Sequence, residues 1–136
     1  MNIVILCRAN SCRSQMAEGL FRKHLREGHN VYSAGLEPEG VNPNAIKTMA
    51  EIGIDISNHT SKTINELPKV DFDYVITVCN SAKERCPVIP GNHKSIHHWF
   101  ADPAKVKGTD EEIANAFASV RDEIDKYARE FVASLN

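Results

Sequence analysis

The chain has 136 residues, 42% of them hydrophobic and 25% charged, with a formal net charge of −2. That length suits one compact core, and so small a charge excludes a global attraction to nucleic acid or to an anionic membrane; any anion site must be local. No apolar run approaches the roughly 20 residues that cross a bilayer. MNIVILC at the start lacks the basic region and small-residue cleavage site of a secretory signal, so the expected location is cytoplasmic.

Residues 2–6 are apolar after the first, which predicts a buried parallel strand running into Cys7. From residue 14 to about 26 the period becomes helical, with Met16, Leu20, Phe21 and Leu25 on one face. NVYSAG is a second strand ending at Gly35, and LEPEGVNPN is turn-rich. Asn42 caps a helix predicted over 43–52, with Pro43 at its favoured first position, and Gly53 stops it. SNHTSKTINEL reads as a loop with a short helical turn, closed by Pro68.

DFDYVITVC, rich in β-branched and aromatic residues, is the third strand and ends in Cys79. NSAKERC predicts one or two helical turns up to Cys86. KSIHHW is the fourth strand and FADPAKVKGTD a loop. From about residue 111, Ile113, Phe117, Val120, Ile124, Phe131 and Leu135 recur at helical spacing, predicting a long final helix against the sheet. The alternation predicts an α/β fold, a three-layer sandwich of one domain over 1–136, its four-stranded parallel sheet covered by helices on both faces. In such open sheets ligands gather beyond the carboxyl ends of the strands, where Cys7, Cys79 and the loop after Trp99 would meet.

The stretch ILCRANSCRSQMAEG carries the strongest chemical signal. A loop between a strand and a helix N-terminus turns several N–H groups toward one point, and the helix dipole makes that point an anion site. Arg13 adds planar donors that match two oxygens of a tetrahedral oxyanion. The same field favours the thiolate of Cys7. The loop would thus hold an oxyanion over a nucleophile. The plain alternative is a buried cysteine at a strand end beside a surface arginine.

Four cysteines are present, Cys7, Cys12, Cys79 and Cys86, spaced C-x4-C and C-x6-C, which are not zinc-knuckle spacings. In a reducing compartment such residues are catalytic, redox-active or buried more often than structural disulfides. Cys79 and Cys86 flank a short polar segment, a layout suited to thiol–disulfide exchange. Two small core residues, or a zinc site with His93, His97 or His98, are the alternatives.

CRANSCRSQMAEG, together with NVYSAG, GVNPNAIKTMAEIGIDISNHTS, VITVC, CPVIP, HHWFADPA and VRDEI, resembles the low-molecular-weight protein tyrosine phosphatase fold, and most closely its thioredoxin-coupled arsenate reductases. The resemblance implies a substrate-binding loop of Arg8, Ala9, Asn10, Ser11, Cys12, Arg13 and Ser14. Arg8 and Ala9 stand where Thr and Gly are more usual. Cys7 would attack arsenate, Asp102 of ADPA would protonate the departing oxygen, and electrons would pass through a Cys7–Cys79 and then a Cys79–Cys86 disulfide, which thioredoxin reduces. Cys12 matches a position outside that relay and is expected to pack. Ser14 is expected to donate to the Cys7 sulfur or cap the helix, and Asn10 to pin the loop.

Some relatives hold potassium beside the loop. Asn10, Glu18 and Ser33 match three ligand positions, but the fourth is Lys62, whose ammonium would take the cation's place, so no metal or bound cofactor is expected. His24, His29 and His59 are expected at the surface, and His97 and His98 receive no role. A monomer is expected, with no nucleic-acid or membrane partner. Two rival functions remain. One is a phosphatase acting on phosphomonoesters, which the resemblance opposes through Ala104, where an aromatic residue is more usual. The other is a non-enzymatic thiol sensor or metal-binding module.

Overall fold

The computed structural model describes residues 1–80 and 85–135. In chain order it contains β1 (Asn2–Cys7), α1 (Arg13–His24), β2 (Asn30–Gly35), α2 (Pro43–Ala50), a 3-10 turn (Ile64–Glu66), β3 (Tyr74–Thr77), β4 (Lys94–His97), a second 3-10 turn (Pro103–Lys105) and α3 (Asp110–Ser134). The four strands form one sheet in the order β2-β1-β3-β4, every pair parallel. All strands therefore point their carboxyl ends at the same edge.

β1 is central, and its apolar run is buried on both faces, as parallel strands between two layers require. The strand's alternation splits the core in two. Ile3, Ile5 and Cys7 join one cluster with Met16, Leu20 and Phe21 of α1, Met49 of α2, and Phe117 and Ile124 of α3. Val4 and Leu6 face the other way, toward Ala34, Val75 and Leu67, with Ile64 of the first 3-10 turn and Phe72 packed against them. Among the described residues, the three α-helices thus pack on one side of the sheet, and a 3-10 turn with its flanking loop on the other.

Local chemistry explains the helix boundaries. Asn42 accepts a hydrogen bond from the Asn44 N–H at 2.8 Å with Pro43 beside it, the cap read from sequence. α3 starts with a reciprocal capping box: the Thr109 hydroxyl accepts from the Glu112 N–H at 3.1 Å, and Glu112 accepts from the Thr109 N–H at 3.2 Å. Asp110, Glu111 and Glu112 complement the helix dipole there. Arg121 of α3 donates to the Thr48 carbonyl at 2.8 Å, tying α3 to α2. No helix among the described residues is long and apolar enough to cross a membrane.

The third strand is shorter than its composition suggests. Pairing with β1 covers Ile3↔Tyr74 to Leu6↔Thr77. Residues before Tyr74 have run past the start of β1 and anchor it instead: the Asp73 N–H donates to the Asn2 carbonyl at 2.8 Å, and the Asn2 N–H donates to the Asp73 carboxylate at 2.7 Å. Residues 81–84, part of the segment expected to form helical turns, lie outside the described residues.

Candidate active site

The loop between β1 and α1 is held from outside by its own carbonyls. Arg8 O accepts from the N–H groups of Leu36 and Glu37 at 2.8 and 3.0 Å, Ala9 O from Glu39 at 3.1 Å, and Ser11 O from Asn42 at 3.1 Å. A trans peptide points its N–H opposite to its C=O, so the N–H groups that follow these carbonyls turn away from the 36–42 strap. Asn10 sits at φ 46°, in the left-handed region that a short polar side chain tolerates, which reverses the backbone within the loop. Behind it, no side chain caps the first turn of α1, and no acidic residue occupies that turn. The dipole end of the helix is left for a ligand.

Gly35 makes the close packing feasible. A Cβ there would lie 2.7 Å from Arg8 O and 2.9 Å from both Cys7 O and Asn10 N, all backbone atoms. Only a residue without a side chain lets β2 end against the loop.

The buried polar groups beneath the loop form one chain whose directions are fixed by its unambiguous donors. The Lys62 backbone N–H donates to Asn10 Oδ1 at 3.0 Å, so the other branch of that amide is the donor. Asn10 Nδ2 donates to Ser14 Oγ at 2.8 Å and to Ser33 Oγ at 3.0 Å. Ser33 passes its own proton toward Glu18 Oε1 at 2.6 Å, since a carboxylate only accepts. Ser14 Oγ, with one lone pair engaged by Asn10, lies 2.9 Å from Cys7 Sγ and has its proton available for the sulfur. A hydroxyl donating to sulfur favours the thiolate.

Gln15, absent from the sequence expectations, is fully buried and braces the same turn. Its Nε2 donates to Asn10 O, Asn10 Oδ1 and Thr60 O at 3.0–3.1 Å. Its oxygen therefore faces His59 Nδ1 at 3.0 Å and must accept a proton from it. The His59 Nε2 atom lies 3.2 Å from Arg22 Nη1, which only donates, so the ring is neutral. Burial pushes its pKa below the ordinary 6.5, against the pull of Glu18. His59 is thus a tucked-in strut rather than a surface residue. His24 is also engaged, 2.7 Å from Asp125, and His29 meets the N-terminal amine at 2.8 Å.

The donor set around Glu18 does not fit an alkali cation. Lys62 Nζ lies 3.9 Å from Glu18 Oε1 and donates to the Thr60 carbonyl at 2.9 Å, while Arg22 donates to Glu18 Oε2 at 2.9 Å. Two fixed cations already serve the buried carboxylate. Among the described residues, no group of three or more His, Cys, Asp or Glu side chains is placed to hold a metal ion.

Above the loop opens a cleft of about 230 Å³ lined by Cys7, Arg13, Ser11 and Asp102 among others. At about 30 Å³ per water, it has room for a tetrahedral oxyanion and its first waters. Arg13 is nearly buried; its Nη1 donates to the Phe100 carbonyl at 3.4 Å, and its Nη2 lies 3.6 Å from Asp102 Oδ2. Asp102 accepts from the Ala104 N–H at 3.0 Å, so the turn begun by Pro103 fixes its direction. Cys12, at the start of α1, is also buried. Burial, with Asp102 nearby, pushes its pKa up to about 12, so it keeps its proton and offers no rival nucleophile.

The second cysteine pair stands at the same sheet edge. Val78 N–H donates to Leu6 O at 2.9 Å, carrying β3 past the end of its ladder beside β1, and Cys79 follows, fully buried. Cys79 and Cys86 are joined in a disulfide with a Cα–Cα distance of 6.1 Å, while Cys7 and Cys12 are free thiols. The loop and Asp102 come together around one cleft, and the disulfide lies one strand over.

A phosphatase-type cradle with a cysteine at the end of β1 defines the class. The chain belongs to the low molecular weight phosphotyrosine protein phosphatase family, whose model matches residues 2–136. Its similar relatives are arsenate reductases: the one from Halalkalibacterium halodurans is 53% identical over 95% of this chain and 93% of its own length. The arsenate reductase structure from Archaeoglobus fulgidus superposes with a TM-score of 0.78 at 28% identity, covering 98% of this chain and 99% of that one. A thioredoxin-dependent arsenate reductase from Corynebacterium glutamicum gives 0.66 at 26% identity, over 98% of this chain and 60% of that one.

Proposed function

We propose that this chain is a cytoplasmic enzyme that reduces arsenate to arsenite, working as a monomer over residues 1–136 with thioredoxin as its external reductant. The observation that carries the reading is the Cys79–Cys86 disulfide at the strand end next to the Cys7 cradle. A phosphatase needs one thiol and water; a two-electron reduction needs a further sulfur to form the first disulfide and another to move it to the surface.

The cradle residues Arg8 to Ser14 bind arsenate, and Arg13 takes two of its oxygens. The Cys7 thiolate forms a bond to arsenic while one arsenate hydroxyl takes the proton of Asp102 and leaves as water. Cys79 sulfur then attacks Cys7 sulfur. The S–As bond breaks, its electron pair stays on arsenic, and arsenite departs as the reduced product. The Cys7–Cys79 disulfide is the oxidised one. Cys86 attacks Cys79, Cys7 leaves as thiolate, and the Cys79–Cys86 disulfide remains. Two electrons from thioredoxin restore both thiols. Cys86 and Val88 line an open groove, and Val88 is 82% exposed, so a reductant has a way in. Lys62 supplies the charge beside Glu18, and no alkali cation takes part.

The test follows NADPH consumption with thioredoxin and thioredoxin reductase, started by arsenate. The parent chain cycles, and Cys7→Ser loses turnover by about 10³-fold or more, as loss of a covalent nucleophile does. Hydrolysis of an aryl phosphate with no arsenate-dependent NADPH loss would instead make the chain a phosphatase. Stoichiometric zinc or arsenite uptake without turnover would make it a thiol sensor.

A further inference from the structure

The cleft over Cys7 holds more positive charge than one arginine. Beside Arg13 it is lined by Arg8 and Lys105, and facing them are Glu39 and Asp102. The floor pair, Arg13 and Asp102, is nearly buried, with side chains 5% and 15% exposed. The rim pair is different: Arg8 Nη2 lies 3.2 Å from Glu39 Oε2, with side chains 30% and 54% exposed. An ion pair that wet is weak and opens readily.

The backbone of Arg8 is tied to the strap, its carbonyl accepting from two N–H groups. Its side chain can move. Arg8 follows the nucleophile directly, about 3.8 Å away from Cα to Cα, so its guanidinium starts at the mouth of the cleft. A tetrahedral oxyanion offers more charge than one carboxylate, and a fork of donors that matches its geometry.

We propose that Arg8 is a second oxyanion-binding residue, held aside by Glu39 while the cleft is empty and released to the oxyanion when it binds. The idea rests on the arsenate reading and sharpens it. Arsenate enters charged, whereas arsenous acid is uncharged near neutral pH. Arg8 therefore grips the substrate and returns to Glu39 when the product forms. Glu39 competes with the substrate but not with the product, so the rim pair senses the charge that reduction removes.

The experiment titrates sulfate into the Cys7→Ser chain by calorimetry at low and moderate salt, which reads oxyanion binding without turnover. Adding Arg8→Thr weakens sulfate binding about three- to tenfold and flattens its salt dependence. Arg8→Lys, which keeps the charge and loses the fork, falls between. Glu39→Gln tightens binding about two- to threefold by removing the competitor. Lys23→Gln, an equal charge loss at the exposed far end of α1, changes nothing. In turnover, Arg8→Thr raises KM for arsenate by the factor seen for sulfate and leaves kcat in place. The proposal is overturned if Arg8→Thr binds sulfate like its parent, or if Glu39→Gln weakens binding, which would make the pair a wall. Arg8-dependent sulfate binding in a chain that reduces no arsenate would keep this inference and remove the reductase reading.

Discussion

Around Cys7 the chain leaves little to chance. Its loop carbonyls are engaged by the strap, Asn10 and Gln15 fill the space beneath, and Gly35 closes the side. Around Cys86 the construction is the reverse: residues 85–93 carry no helix or strand, and Val88 projects into solvent. Both regions deliver a sulfur to one sheet edge, under opposite demands. Recognising a small oxyanion needs donors fixed before it arrives. Passing a disulfide outward needs a segment whose local opening costs little. In the proposed relay, the braced region serves the first step and the region without helix or strand the last.

The largest expected effect separates the two regions. Cys86→Ser should leave the cradle intact, release about one arsenite per chain in a rapid burst, and then slow thioredoxin-driven cycling ~100-fold or more. Quench-flow arsenite counting beside steady-state NADPH loss checks this; normal cycling would show that the loose region has no part in the relay.

The reverse experiment stiffens nothing and disturbs only the cradle. Gly35→Ala forces backbone apart and should cost about 1–3 kcal/mol of stability, the usual range for overpacking. Arsenate kcat/KM should fall about tenfold, since a shift of an ångström misaims several donors at once. Denaturant melts and sulfate titration read both. Unchanged sulfate binding would mean that the loop is softer than its hydrogen bonds imply.

A smaller effect concerns the ions below the loop. With Lys62 and Arg22 already on Glu18, arsenate turnover in sodium should match that in potassium within about twofold, exposed alkali ions acting only by screening. A large potassium advantage would break the reading of Lys62.

The smallest effect is a pH dependence of folding. Because the pKa of His59 is lowered in the folded chain, the unfolded chain takes up its proton first as pH falls. The stability this residue adds is present above its ordinary 6.5 and is lost as pH drops below that value. Stability–pH curves for the parent and His59→Gln should keep a constant separation above pH 7.5 and close on the acid side, where only the parent loses this contribution. Parallel curves would show that His59 does not titrate with folding.

Much of the cradle was legible because its signals are local. A buried run into Cys7, an arginine at the helix start and the Asn42–Pro43 cap need no partner to be read. The bracing residues were not legible, because they act at a distance. Gln15 looks like any helix residue until Thr60 and His59 arrive from 45 and 44 positions away. His59 reads as a surface histidine because its immediate neighbours, Asn58, Thr60 and Ser61, are polar, and its burial comes from contact with Gln15 and Arg22 of α1. The third strand looked longer since composition reports β preference, whereas ladder length is set by where β1 begins.

The strand order has a consequence for how such a protein could arise. Since β3 lies directly beside β1, a hydrolytic ancestor would need no rebuilt pocket to become a reductase. One sulfur at the end of the neighbouring strand and another shortly beyond it would supply an electron exit. The added reductive chemistry then sits at the sheet edge and leaves the oxyanion cradle as it was.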